Sequence, residues 1–152
     1  MNHIEYSMKR SSLCEIISHL KDVDGCFSPV LSSIVNLEFF AKKIYDNTIR
    51  FEAWNNDKLI GLLSAYFNNY STKNGFINHV AVKTPYNGQG ISKNLMNKCI
   101  EYGINNGFES ITLEVSKDNY VAINLYERFG FVVYDVQLTK IQMITKLIKE
   151  EQ

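Results

Sequence analysis

Residues Thr84–Met96 read TPYNGQGISKNLM. They follow the apolar run Val80-Ala81-Val82 and lead into Ile91, Leu95, Met96, Cys99, Ile100, Gly103 and Ile104, which recur at helical spacing. A strand therefore hands over to a helix across a turn that holds two glycines, Gly88 and Gly90. A helix N-terminus offers unpaired backbone N–H groups and a partial positive charge. Glycines just ahead of it let the backbone approach an anion with no Cβ in the way. The plain alternative is a tight connection with no ligand. Two familiar phosphate loops are excluded. Gly90 is followed by Ile91, so the pattern is not GxxxxGK[ST], and Lys93 stands where GxGxxG needs its third glycine.

Working outward toward the C-terminus, Asn105-Asn106-Gly107 ends the helix, because Asn and Gly accept left-handed backbone angles. Ile111–Val115 alternates as a strand. A short helix over about Val121–Phe129 stops at Gly130, and strands near Phe131–Val136 and Ile141–Leu147 close the chain. Toward the N-terminus lie a strand at Phe76–Val82 and a polar loop, Asn68–Asn74. Before them comes a hairpin, Ile49–Trp54 and Leu59–Phe67, turning at Asn55–Lys58. Leu37–Tyr45 reads as a helix, Asp22–Ser33 as a loop or broken helix, and Leu13, Ile16, Ile17 and Leu20 as the apolar face of a helix capped by Ser11 or Ser12. Ile4–Met8 is a weak first strand. Strands outnumber helices and many are hairpin-linked, so the fold class is α/β in the α+β sense, with a mixed sheet and flanking helices.

The totals narrow the function. A chain of 152 residues with 45% hydrophobic content is long enough for one globular domain, taken as residues 1–152. Sixteen basic and sixteen acidic residues cancel, which leaves no nucleic-acid footprint. No apolar run is long enough for a bilayer, so no membrane partner is expected. Cys14, Cys26 and Cys99 have no metal-binding spacing, so no metal is expected. Unframed thiols and a polar start, MNHIEYSMKRSS, point to the cytoplasm.

The segment from Phe76 to Phe131 resembles the core of the GNAT acetyltransferase superfamily. The family pattern is a Val-x-Val strand, then [Q/R]xxGx[G/A] opening a helix, a strand, and Asn-x-x-Ala-x-x-Leu-Tyr-x-x-x-Gly-Phe. Here these are Val80-Ala81-Val82, then Asn87-Gly88-Gln89-Gly90-Ile91-Ser92, and the run Asn119–Phe131, NYVAINLYERFGF. The glycine loop alone is weak; with NLYERFGF at this separation it is strong. Asn87 replaces the usual Gln or Arg, and Ser92 the usual Gly or Ala. Backbone amides bind phosphate whatever the side chain, so these departures bear on affinity and not on identity.

The resemblance implies a GNAT fold with a mostly antiparallel sheet, acetyl-CoA as acetyl donor, and a peptide or small-molecule amine as acceptor. It implies that the pyrophosphate lies on the turn from Asn87 through Gly88, Gln89, Gly90, Ile91 and Ser92 to Lys93. The pantetheine would run along Val80, Ala81 and Val82, between two parted strands. The spacing of Glu114, Asn119 and Tyr126 is similar to that of the ribosomal-protein N-terminal acetyltransferases. By that similarity Glu114 is the base, acting directly or through water, Asn119 binds the coenzyme, and Tyr126 is the acid for the leaving sulfur. Each has a second reading: Glu114 as a solvated strand residue, Asn119 as a helix cap, Tyr126 as a core ring. His79 reads as a satisfied strand residue or an acceptor-site base, and His19 as exposed. Phe27, Pro29, Phe39 and Phe40 are candidate walls of the acceptor pocket, within Cys26–Phe40, opposite Val136–Met143. A homodimer is compatible with all this. So is a non-catalytic acyl-CoA sensor of the same fold, which would bind without releasing thiol.

Overall fold

Ser12 begins the first helix with a reciprocal cap. Its hydroxyl accepts from the Glu15 amide, and the Glu15 carboxylate accepts from the Ser12 amide. In the computed structural model, which describes residues 3–148, the order is β1 (Ile4–Met8), α1 (Leu13–Val23), α2 (Leu37–Asn47), β2 (Ile49–Asn55), β3 (Lys58–Tyr66), β4 (Asn74–Val82), α3 (Ile91–Asn105), β5 (Ser110–Ser116), α4 (Tyr120–Arg128), β6 (Val132–Val136) and β7 (Lys140–Lys146). Between α1 and α2 the chain makes two single 3₁₀ turns, Asp24–Cys26 and Leu31–Ser33. The Asp24 carboxylate accepts from the Ser32 amide and hydroxyl and so ties the two turns together.

The strands form one seven-stranded sheet in the order β1-β2-β3-β4-β5-β7-β6. Every neighbouring pair is antiparallel except β4 and β5. The expected mixed, mostly antiparallel sheet with flanking helices is thus what forms. Pleating sorts the side chains to two faces. Leu63, Ala65, Ile77, Leu113 and Val115 join Leu95, Met96 and Cys99 of α3 in the larger core. On the other face Leu62 packs with Ile16 and Leu20 of α1 and Ala41 and Ile44 of α2.

A buried carboxylate fixes α1 over that second face. Glu52 of β2 is fully buried, and it accepts from the Arg10 amide (2.7 Å), the Ser11 amide (3.0 Å) and the Ser11 hydroxyl. The Arg50 guanidinium, also buried, lies 3.4 Å from it. A buried charge persists only with such partners.

One expectation fails on this face. His19 is 1% exposed, not solvated. Its position completes the buried row Ile16, His19, Leu20, Val23 at helical spacing, so the helix phase overrides the residue's polarity.

Candidate active site

The site is made by a fault in the sheet. Strand β4 pairs with β5 at Asn74↔Ser110, Gly75↔Ile111, Phe76↔Thr112 and Ile77↔Leu113, and the pairing goes no further. At the same level β4 carries an extra residue against β3. Ser64 opposes His79 and Ala65 opposes Ile77, so Asn78 is bulged. Asn78 is held there by the Ser64 hydroxyl at 2.6 Å. A bulge bends its strand, and β4 leaves β5 at this bend. From Asn78 to Val82, β4 keeps only β3 as a neighbour, and its other edge is open.

The open edge runs to the glycine turn. Gly88 and Gly90 have φ of +80° and +74°, and no atom lies within 4 Å of where a Cβ would stand on either. Gly90 is the N-cap of α3 and supplies no side-chain cap, whereas Ser12, Asn36 and Asn119 cap α1, α2 and α4 with their side chains. The first helical hydrogen bond is Asn94 N–H to the Gly90 carbonyl, at 3.0 Å. The amides ahead of it have no partner within the helix, and Val82, Tyr86, Asn87, Gly88, Gly90, Ile91, Ser92 and Lys93 line a small cavity of about 100 Å³ there. That is a cradle of N–H groups that an anionic phosphate fits.

Glu114 comes one residue past the end of that pairing on β5, and α4, the helix that follows β5, carries Asn119 at its N-cap and Tyr126 within it. Glu114 follows Leu113, the last paired residue, and points to the face opposite the main core. It accepts from Lys140 Nζ at 2.8 Å and Gln142 Nε2 at 3.0 Å, across the β5–β7 pairing. Asn119 caps α4 through Oδ1, which accepts from the Ala122 amide at 3.2 Å, leaving its amide NH₂ free to donate. Tyr126 is 7% exposed, with its ring 5.9 Å from that of Phe131. Burial pushes its phenol well above the usual value, so it stays protonated at neutral pH. The only buried side-chain polar atom without a partner among the described residues is His19 Nδ1. The Tyr126 hydroxyl, which makes no hydrogen bond, therefore reaches accessible space.

Residues 18–131 match the sequence profile of the acetyltransferase (GNAT) family. The chain belongs to the GNAT acetyltransferase family. It is 35% identical over 124 residues to N-alpha-acetyltransferase 30 of Schizosaccharomyces pombe, covering 76% of this chain and 79% of that one. Among solved structures, the ribosomal-protein-S18-alanine N-acetyltransferase of Escherichia coli has a similar fold. Its TM-score is 0.73 at 19% identity, over 100% of this chain and 97% of that one. The PaiA N-acetyltransferase of Thermoplasma acidophilum, solved in complex with coenzyme A, has a TM-score of 0.72 at 16% identity, over 93% of this chain and 99% of that one. This chain is an acetyltransferase that acts on an amine.

Within this GNAT domain the face beyond the gap holds residues that the sequence reading left out or misplaced. His19 Nε2 lies 3.1 Å from His79 Nε2. The rings of Phe27 and Phe40 lie 5.8 Å and 6.0 Å from the His79 ring. Phe39, proposed as a wall, is instead 74% exposed, because it follows the α2 cap on the helix's outer side. The usable signal for His19 is its place three residues after Ile16 and four before Val23. Among the described residues no group of His, Cys, Asp and Glu could hold a metal, and no helix is long and apolar enough to cross a membrane.

Proposed function

We propose that this GNAT enzyme acetylates the N-terminal α-amine of a peptide, by direct attack of the amine on the acetyl thioester. The observation that carries the reading is the parting of β4 and β5 after Ile77 and Leu113. It leaves the inner edge of Val80–Val82 open, with the glycine turn beyond its end and Glu114 one residue past the pairing on β5. The name of the fission-yeast relative, an N-alpha-acetyltransferase, supports the α-amine over other amines. So does proton chemistry. An α-amine with pKa about 8 needs only about 1.4 kcal/mol to become neutral at pH 7, against about 4.6 kcal/mol for a lysine-like amine.

Acetyl-CoA supplies the activated acyl carbon. The turn Asn87–Lys93 binds its phosphates, and the open edge of Val80, Ala81 and Val82 offers backbone groups to its pantetheine amides and to the thioester oxygen. Asn119 donates to the coenzyme through its free NH₂. As the N–C bond forms and the C–S bond breaks, Glu114 takes the amine proton, directly or through water, and Tyr126 donates a proton toward sulfur. Lys140 and Gln142 occupy part of the Glu114 carboxylate, which has about four lone-pair sites, so capacity remains for the amine or a water. The three cysteines are free, in keeping with a reducing cytoplasmic setting.

The test is purified chain with acetyl-CoA and four probes: a tetrapeptide with a free N-terminus, the same peptide N-terminally blocked with an internal lysine, a polyamine and an amino sugar. Thiol release with a mass gain at the free N-terminus supports the reading. Release only with one of the other probes replaces it.

A further inference from the structure

The His19–His79 pair carries an inference about how the acceptor is held, and it rests on the peptide reading above. Two imidazoles in Nε2–Nε2 contact at 3.1 Å share one hydrogen bond, so one ring donates and the other accepts. If His79 donated, the neutral His19 would carry its proton on Nδ1. That nitrogen is buried without a partner, and orphaned buried N–H groups are rarer than orphaned acceptors. The favoured arrangement is the reverse: His19 donates from Nε2–H, and its buried Nδ1 is bare. His79 then accepts at Nε2 and carries its own proton on Nδ1.

His79 Nδ1 makes no hydrogen bond within the fold, and it is not among the buried unpartnered atoms. It therefore opens onto the little accessible surface that this 5%-exposed ring retains. Its setting is known. His79 lies two residues past the end of the β4–β5 pairing and opposite Ser64, on the α1–α2 face. Glu114, on β5, points to that same face. Phe27 and Phe40 wall the ring. The charge of Lys83, which acts on His19, is paired with Asp22 at 2.8 Å, and Glu114 is paired with Lys140 at 2.8 Å.

We infer that His19 fixes His79 as a neutral Nδ1–H donor, and that His79 binds a carbonyl oxygen of the acceptor in the mouth of the gap. A ring locked as a donor cannot accept from the attacking amine, so it is not the base. What it recognises is an oxygen close to that amine. In a peptide N-terminus a carbonyl follows the amine after one carbon; a lysine side chain or a polyamine has none there. His79 is thus an acceptor-binding residue and His19 the residue that positions it.

The test joins two measurements. The ¹⁵N signals of the imidazoles at neutral pH should show His79 protonated at Nδ1 and His19 at Nε2; the opposite pattern overturns the assignment whatever the activity. Kinetics should then separate a free tetrapeptide from a simple primary alkylamine. His79→Phe keeps a ring among the phenylalanines and should raise KM for the peptide about 2- to 10-fold, the size of one hydrogen bond, with kcat and the alkylamine reaction little changed. His79→Asn places an amide NH₂ near the Nδ1 position and should restore the wild-type KM. Equal peptide KM in wild type and His79→Phe overturns the carbonyl contact. A wild-type chain that acetylates the alkylamine but not the peptide overturns the peptide reading and the carbonyl contact together, and the ¹⁵N pattern still decides the tautomer.

Discussion

Ile77 and Leu113 are the last residues that β4 and β5 hold side by side. One position further along, Asn78 is bulged and Glu114 has no partner on β4. A ligand lying in that gap would replace missing strand contacts. Binding of acetyl-CoA should therefore slow hydrogen exchange most at the amides of Asn78–Val82, with little change at Gly75–Ile77, which are already paired. A uniform slowing across the sheet would show general stabilisation instead.

The glycine turn gives a second expectation. Acetyl-CoA at 100 times its dissociation constant should stabilise the fold by about 2.7 kcal/mol. Gly90→Val meets no neighbouring atom, but it forces a β-branched residue to φ of +74°. The strain should cost about 1–2 kcal/mol, and the new Cβ stands where a phosphate would sit. The ligand-induced shift in Tm should vanish. A retained shift would remove the cradle from the binding site.

Glu114→Gln keeps the shape and the contact with Lys140 and removes the charge. Turnover should fall about 10²- to 10⁴-fold, with acetyl-CoA affinity intact. Glu114 and Lys140 are both partly exposed, so loss of their ion pair should change stability by less than about 1 kcal/mol. Equal rates in wild type and variant across pH would leave Glu114 as a strand residue only.

Tyr126→Phe preserves the packing on Phe131 and removes a hydroxyl that bonds nothing in the fold. Turnover should drop on the order of 10- to 1000-fold, and stability should change by less than about 1 kcal/mol. Normal turnover with an early melt would make Tyr126 a core residue.

Stability should depend on acid through the buried histidines. Burial lowers His79 from 6.5 to about 4, and lowers His19 through burial first, then through His79 and Lys83. Between these values the unfolded chain binds protons that the folded chain does not. Stability is therefore full above pH about 6.5 and falls as pH drops toward about 4, on the order of a few kcal/mol. The urea midpoint of wild type should fall more steeply than that of His79→Phe as pH drops through this window. Parallel pH profiles would show that other groups control the loss.

The fold was legible where local rules decide. The strand at Ile4–Met8, the β2–β3 hairpin and the helix opening after Gly90 follow from alternation, turn residues and helical spacing, and the comparisons place the chain in the GNAT family that its motifs resemble. What stayed hidden depends on contacts between distant segments. Asn78 looks like any polar strand residue until β3 is beside it. The alternation of Ile49–Trp54 says nothing of a partner for Glu52, which is buried under Ser11 and the Arg10 amide. His19 reads as exposed, although its helical phase puts it inside. The proposed site residues Glu114, Asn119 and Tyr126 are legible only as a spacing, because the roles proposed for them depend on a gap that no local pattern marks.

The short seam between β4 and β5 also has a consequence for how the chain becomes whole. Strands β1–β4 can zip up through antiparallel neighbours, and β5–β7 form a separate antiparallel group. The two groups meet in a single parallel run whose first pair, Asn74 and Ser110, is 36 residues apart in sequence. Closing that loop costs chain entropy, as does joining β1 to β2, where Met8 meets Phe51, and non-local pairing of this kind is slow. A chain emerging from the ribosome would thus order its β1–β4 half before any catalytic gap exists, and would gain the gap only when β5 docks. Ligand present at that moment would act as a mould for the second half, shortening the interval in which the inner edge of β4 is bare and open to pairing with another chain.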